Sequence, residues 1–388
     1  MRRLLIVGEI ALAIALLTGA ALLLRSFVAL RGVELGFNPG QLTGAQIALA
    51  GEKYRSAANV ASFEDRVIAR LSALPGVTAV ATASNLPLQR GLRVGMNVNG
   101  RAPGKSLQVR AISPDYFRVL GIKLIRGREL AAGDNASSAP VVVINETFAR
   151  AYFPDQDPFS GEIGFQNRKH QVVGIVGDIR EIGVDRPVEP TVYLTRWQAT
   201  DGLTAAMNRF FPSALIARTD GKLDLSAAIR DAVREADPQL PLASLRPMDD
   251  VISGTISAPR FTMMLMLIFA GLALVLTAIG IYGVISYQVA QRTGEIGIRL
   301  ALGAQPRDVL MLVIGQGMRL TVAGIVTGIL ASLALTRMMA NLLYRVSATD
   351  PLTYVSVSIL AAIISLAACY FPARRATRVD PLVALRNQ

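Results

Sequence analysis

Four apolar runs set the first limit on this chain. They lie at about Leu4–Leu24, Phe261–Val289, Val309–Ala340 and Thr353–Phe371. Crossing the hydrocarbon of a bilayer as a helix takes roughly 20 residues. Inside lipid every backbone N–H and C=O must be satisfied within the protein, so runs of this kind cross as helices. Between the first and second runs lie residues 25–260, of ordinary soluble composition. The expected class is a membrane protein: four transmembrane helices, with a large mixed α/β extracytoplasmic domain inserted between the first and second. A mean hydropathy of +0.42 with 18% charged residues fits spans joined to a water-soluble part. The first run opens MRRLL, as a signal peptide would. It outruns the usual 7–15-residue apolar core of such peptides and no A-x-A site follows, so it reads as an uncleaved anchor.

The net charge of +12 raises the question of nucleic acid, and its distribution answers it. Cytoplasmic flanks of spans carry excess Lys and Arg. With the N-terminus inside, the inner pieces hold Arg2 and Arg3, then Arg292, Arg299 and Arg307, then Arg374, Arg375, Arg378 and Arg386; the short opposite loop near 341–352 holds Arg345. Both termini are therefore expected in the cytoplasm and the large domain outside. Within residues 26–258 acids nearly balance bases, so the charge is a topology signal and no nucleic-acid partner is expected. One Cys (Cys369) and one His (His170) exclude an intrachain disulfide and a His/Cys metal cluster.

The expected domains are 1–25 as the first span, 26–258 as the extracytoplasmic domain and 259–388 as the remaining three spans. In the middle part, 42–49, 77–84, 108–113, 170–180, 191–194 and 213–219 read as strands. Residues 57–74 place Val60, Phe63, Val67, Ile68 and Leu71 on one helical face, and Pro75-Gly76 stops that helix. Residues 115–120 and 224–236 are further helices, 140–153 is a strand running into a helix, and 241–256 closes a second strand–helix–strand unit. Two such units predict an α/β part at about 40–113 and 206–256, with a β-rich insertion at about 114–205.

Motifs for catalysis are weak. GRAPGKS (100–106) misses the phosphate-loop spacing by one residue, since Asn99 stands where a glycine is needed, and it reads as a Gly/Pro turn. GIVGDIR (174–180) lacks a third glycine and reads as a strand end. His170, in the polar stretch NRKH, reads as a solvated turn residue, and no G-x-S-x-G occurs. No cofactor and no catalytic centre are expected. Apart from Arg337, which reads as interfacial at the outer end of the third run, two charges fall inside apolar runs, Glu9 and Arg319. Such residues are costly in lipid and often functional, but each lies within a few turns of the inner edge, so snorkelling is the plainer reading. Gly324 and Gly328 form a GxxxG, and Gly271, Ala278 and Gly280 are small positions in the second span; both sets mark close helix contacts.

The stretch RTGEIGIRLALGAQPRDVL (292–310) lies between the second and third runs. Glu295 and Arg299 are an i,i+4 pair in the favourable order, and Ile296 and Leu300 make an apolar stripe beside it. Gly303 suits a C-terminal cap and Pro306 the first position of the next helix. The pattern predicts a helix of about nine residues, some 14 Å at 1.5 Å per residue. So short a helix needs a surface to pack on. That surface is either the headgroup layer or a groove in another protein.

The same stretch resembles the inner loop of MacB/FtsX-type permeases, R-T-x-E-I-G-I-R-x-A-x-G-A, through Arg292, Thr293, Glu295, Ile296, Gly297, Ile298, Arg299, Ala301, Gly303 and Ala304. The ending PARRATRVDPLVALR is similar to that family's P-A-x-x-A-x-x-x-D-P-x-x-A-L, through Pro372, Ala373, Ala376, Asp380, Pro381, Ala384 and Leu385. Residues 9–39 and 73–88 further resemble the second half of duplicated orphan permeases. The resemblance implies a MacB-like periplasmic core domain and an FtsX-like permease domain in the bacterial inner membrane. It implies a non-catalytic ABC-transporter subunit whose residues 293–303 form a coupling helix on a separate cytoplasmic ATPase. It also implies a second permease copy as dimer partner, the lipid bilayer as surroundings, and room for a periplasmic adaptor. Two tasks fit: efflux of a small molecule, peptide or lipid-linked substrate, or mechanotransmission that activates an outer partner such as a cell-wall hydrolase.

Overall fold

The computed structural model describes residues 2–102, 104–221, 223–292, 295, 305–338 and 343–377. The expected coupling helix, 293–303, lies outside the described residues apart from Glu295, as does the C-terminal motif beyond Thr377. The chain forms two compact units, one from residues 1–32 with 257–388 and one from 33–256.

The first unit begins with α1 (Arg2–Arg31), a proline-free run rich in Leu and Ala. It is completed by α8 (Ser257–Gln291), α9 (Pro306–Met338) and α10 (Pro351–Ala376). All four are long and apolar enough to cross a membrane. Asp350 caps α10 by accepting from the N–H of Thr353 at 2.9 Å, and Pro351 takes the first position, where its missing N–H costs nothing. Ile6, Ile10 and Ile14 of α1 pack against Ile281 and Ile285 of α8, Val313 of α9, and Val357, Ala361 and Cys369 of α10. Large apolar side chains on the other faces, among them Leu272, Ile279, Leu330, Ile359 and Ile363, stay exposed. A continuous apolar coat of this kind suits lipid and not water.

The second unit is a twelve-stranded mixed sheet with helices. Its strands are β1 (Leu42–Ile47), β2 (Val77–Ala83), β3 (Arg93–Val94), β4 (Asn97–Val98), β5 (Leu107–Ile112) and β6 (Leu124–Gly127). They continue as β7 (Val141–Asn145), β8 (Glu162–Phe165), β9 (Arg168–Val176), β10 (Thr191–Thr195), β11 (Ser213–Thr219) and β12 (Leu242–Pro247). The order along the sheet is β12-β1-β11-β2-β5-β10-β7-β9-β8-β4, with β3 beside β5 and β6 beside β9. The helices are α2 (Ala57–Ser72), α3 (Tyr116–Leu120), α4 (Glu146–Tyr152), α5 (Asp201–Phe210), α6 (Ser226–Ala236) and α7 (Met248–Thr255).

Two hydrophobic clusters fill this unit. In one, Val60, Phe63, Val67 and Leu71 of α2 meet Ile229 and Val233 of α6 over β1, β2 and β11. In the other, Phe148 of α4 and Leu203 and Met207 of α5 cover β5, β7, β9 and β10. Between the clusters the sheet is pinched: β2 and β5 pair at Ala83 and Ile112 alone. Leu107, Val109 and Ala111 of β5 belong to the second cluster, so the packing seam falls before β5, ahead of the break expected near residue 113.

Three local differences from expectation have physical causes. Residues 241–256 are a strand followed by α7, because Asp249 and Asp250 in the first turn suit a helix start. Helix α5 is carried by only two buried large residues, Leu203 and Met207, too sparse a stripe to stand out, although Thr200 caps it by accepting from the N–H of Leu203 at 3.2 Å. His170 is 2% exposed, not solvated. The turn is at Gln166 and Asn167, both at positive φ (53° and 59°), which suits a two-residue hairpin between β8 and β9. That register turns His170 inward with Val172, and its ring stacks on Phe165 at 4.2 Å between centroids. Burial lowers the His170 pKa below its ordinary 6.5.

Candidate functional site

One face of α9 forms a seam of small residues within the membrane unit. The buried face of α9 reads Val309, Val313, Gly317, Thr321, Gly324, Gly328, Ser332 and Thr336. The spacing of four, with one step of three, keeps these residues in one line along the helix. A Cβ at Gly324 would lie 2.6 Å from Cβ and Cγ2 of Ile10. One at Gly328 would lie 2.7 Å from Cβ of Ile14 and 3.0 Å from Cα of Ala11. Both expected packing glycines therefore receive α1 directly, and only a hydrogen fits there. Gly317 meets Cys369 of α10 in the same way.

The hydroxyls on this face cause no desolvation penalty. Thr321, Ser332 and Thr336 each donate to the carbonyl four residues earlier, at 3.1, 2.7 and 2.7 Å. Sequence reading found the two glycines and missed Gly317, Thr321, Ser332 and Thr336. Their regular spacing of four residues was the available signal.

The two expected intramembrane charges part company. Glu9 sits against Gly280 of α8, where a Cβ would strike its carboxylate, so the small residue at 280 makes room for an acid. Thr277 contacts the Glu9 carbonyl oxygen at 3.5 Å. Arg319 is exposed on α9, away from that contact. Gly271 on α8 has open space beside it instead of a neighbour.

At the other end of the bundle Arg25 of α1 pairs with Asp350, and its Nη1 also donates to the Thr353 hydroxyl at 3.2 Å. That hydroxyl donates to Asp350 at 2.6 Å. Hydrogen bonds from the Thr353 hydroxyl and N–H, with Arg25 beside them, hold the Asp350 carboxyl below the usual carboxylate range. The N–H of Tyr344 donates to Ser26 Oγ at 2.8 Å. Helix α1 is thus fixed along its length, by glycine contacts at one level and by an ion pair at another.

Of the expected coupling residues, Arg292 and Glu295 are described. The Arg292 N–H ends α8 by donating to the carbonyls of Gln288 and Val289 at 3.2 and 3.1 Å. Arg292 and Glu295 line a small groove with Gln288 and Val289 of α8 and Leu312, Val313 and Gln316 of α9. Thr293, Ile296, Gly297, Ile298, Arg299, Ala301, Gly303 and Ala304 lie outside the described residues.

Residues 4–236 match the family model of the MacB-like periplasmic core domain, and residues 267–381 match that of the FtsX-like permease C-terminal. The chain belongs to the MacB/FtsX-type permeases of ABC transporters. A macrolide export ATP-binding/permease protein MacB of Mannheimia succiniciproducens is 25% identical over 92% of this chain. The permease spans 56% of that relative's length. The ABC transporter permease YvrN of Bacillus subtilis is 23% identical, with 72% of this chain and 70% of that protein covered. Among solved structures, the periplasmic region of MacB from Actinobacillus actinomycetemcomitans matches with 17% identity and a TM-score of 0.37, over 56% of this chain and 92% of that one.

Proposed function

We propose that this permease is the membrane subunit through which a separate cytoplasmic ATPase moves an extracytoplasmic domain, and that the movement serves efflux of a small molecule, peptide or lipid-linked substrate. Two copies of the permease and two of the ATPase form the working assembly. The ATPase grips residues 293–303, and the chain itself contributes no chemical step. The observation that carries this reading is the α1–α9 seam. The large unit is inserted between α1 and α8, and α1 packs on α9 with the Ile10 and Ile14 side chains seated directly on Gly324 and Gly328. Helix α9 follows directly from the proposed coupling segment. A push on that segment therefore reaches α1, and so the chain entering the outer unit, through a contact too tight to absorb it.

The test is co-purification with a cognate ATPase. Glu295→Arg and Gly297→Trp, made separately, are expected to abolish pull-down while membrane insertion stays intact. Full pull-down by both variants would refute the assignment of 293–303 as the coupling segment.

A further inference from the structure

At the pinch between β2 and β5 the outer unit holds a cavity of about 630 Å³. Ligand pockets run from roughly 300 to 1,000 Å³. Its position follows from topology. Strands β5 and β10 run parallel, and their carboxyl ends, at Ile112 and Thr195, open into it. In α/β sheets the crevice beyond the carboxyl ends of strands is where ligands sit. The apolar wall comes from Ile68 of α2, Val80, Ile112 and Leu130, and Trp197 stands at the edge.

The polar lining is lopsided. Three of its five carboxylates are already paired with an arginine, Asp115 with Arg118 at 3.1 Å besides Glu64 and Asp134. Glu64 takes two bonds from Arg196, at 2.9 and 3.2 Å, and Asp134 takes two from Arg128, at 2.7 and 2.8 Å. Arg196, the one cation of the lining, is spent on Glu64. The other two, Asp65 and Glu129, form no ion pair among the described residues. Asp65 accepts from the indole N–H of Trp197 at 3.2 Å. Burial first, then the charge of Asp115, raises the pKa of Glu129 against an opposing pull from Arg118; burial and Glu64 raise that of Asp65 against the Trp197 hydrogen bond. A site that crowds carboxylates around apolar walls and an indole lowers its energy by taking up a positive charge with an apolar body.

We infer that this cavity binds an organic cation, a single ammonium- or phosphonium-type charge on an apolar body, seated between Trp197 and Glu129. The inference does not rest on the coupling reading, because binding here needs no ATPase. Trp197 is the chain's single tryptophan and so reports the site directly.

The experiment titrates the full chain, in lipid nanodiscs without ATPase, with tetraphenylphosphonium while following Trp197 emission. A saturable change is expected. Triphenylphosphine oxide, neutral and of similar shape, is expected to need at least tenfold higher concentration. The Glu129→Gln variant keeps the indole and its partner Asp65, and is expected to lose tetraphenylphosphonium affinity about tenfold, with unliganded emission unchanged as the sign that it folds. Salt sensitivity of binding should shrink in that variant. Equal affinity for the neutral compound, or a non-saturating signal identical in the variant, as partition into the bilayer would give, overturns the proposal.

Discussion

Replacing Arg196 by Met should destabilise the outer unit by about 3 kcal/mol. The Arg196 and Glu64 side chains are each 3% exposed. Arg196 supplies Glu64 with bonds at 2.9 and 3.2 Å and reaches the Ser213 hydroxyl at 3.2 Å. Breaking a buried pair from one side costs roughly 3–5 kcal/mol, because the remaining charge stays buried. Glu64 keeps two neutral donors, Ser213 Oγ at 2.8 Å and Thr82 Oγ1 at 2.9 Å. Each is worth about 1 kcal/mol, which places the expectation at the lower end of that range. The Glu64→Leu/Arg196→Met double variant removes both charges, and Ser213 retains the Ala83 carbonyl at 3.2 Å. Its expected loss is about 1 kcal/mol, about 2 kcal/mol less than that of Arg196→Met alone, so the two positions are not additive. Urea titration of the full chain read by Trp197 emission measures this, since the single tryptophan lies in the outer unit and leaves the spans silent. A single variant within 1 kcal/mol of the parent, or a double variant as weak as the single, would refute the view that this pair is held by mutual neutralisation.

Further outcomes follow from the other sites. Gly324→Val forces a Cβ into a space 2.6 Å from Ile10, an overpacking cost of about 1–3 kcal/mol, and should speed maleimide labelling of the buried Cys369 on heating; an unchanged profile would mean α1 and α9 are not in contact there. The His170 pKa is lowered by burial, so below pH 6.5 the unfolded chain binds the proton and the folded chain does not. Stability of the outer unit should therefore fall from pH 7 to pH 5, and His170→Gln should flatten that slope in urea titrations. A cysteine at Ser253, in a Cys369→Ser background, should react with an impermeant reagent from outside, and one at Gln291 should not; the reverse pattern would invert the proposed orientation.

How much was legible depended on the range of the forces involved. The apolar runs were visible because a bilayer imposes its thickness on consecutive residues; α1, α8 and α10 contain the runs read for them, and α9 carries the third as far as Met338. Strands such as β2 and β11 were visible through turn signals and apolar content. Gly324 and Gly328 were found because a helix puts positions four apart on one face. Their receiving surface, Ile10 and Ile14, lies more than 300 positions away in the chain, and only packing paired them. His170 shows the opposite limit. A one-residue difference in where the hairpin turns decides whether a side chain faces water or the core, and the polar letters around it pointed the wrong way.

By itself, then, the sequence determined the four spans, the insertion of a large α/β unit after the first, and the glycine pair at 324 and 328, because each is a local pattern along the chain. Tertiary structure alone decided which carboxylates are neutralised and which face a cavity. Glu64 and Arg196 stand far apart in the chain, as do Asp65 and Glu129, and electrostatic pairing acts through space. The sheet's pinch at Ala83 and Ile112, where the cavity opens, follows from the same long-range assembly.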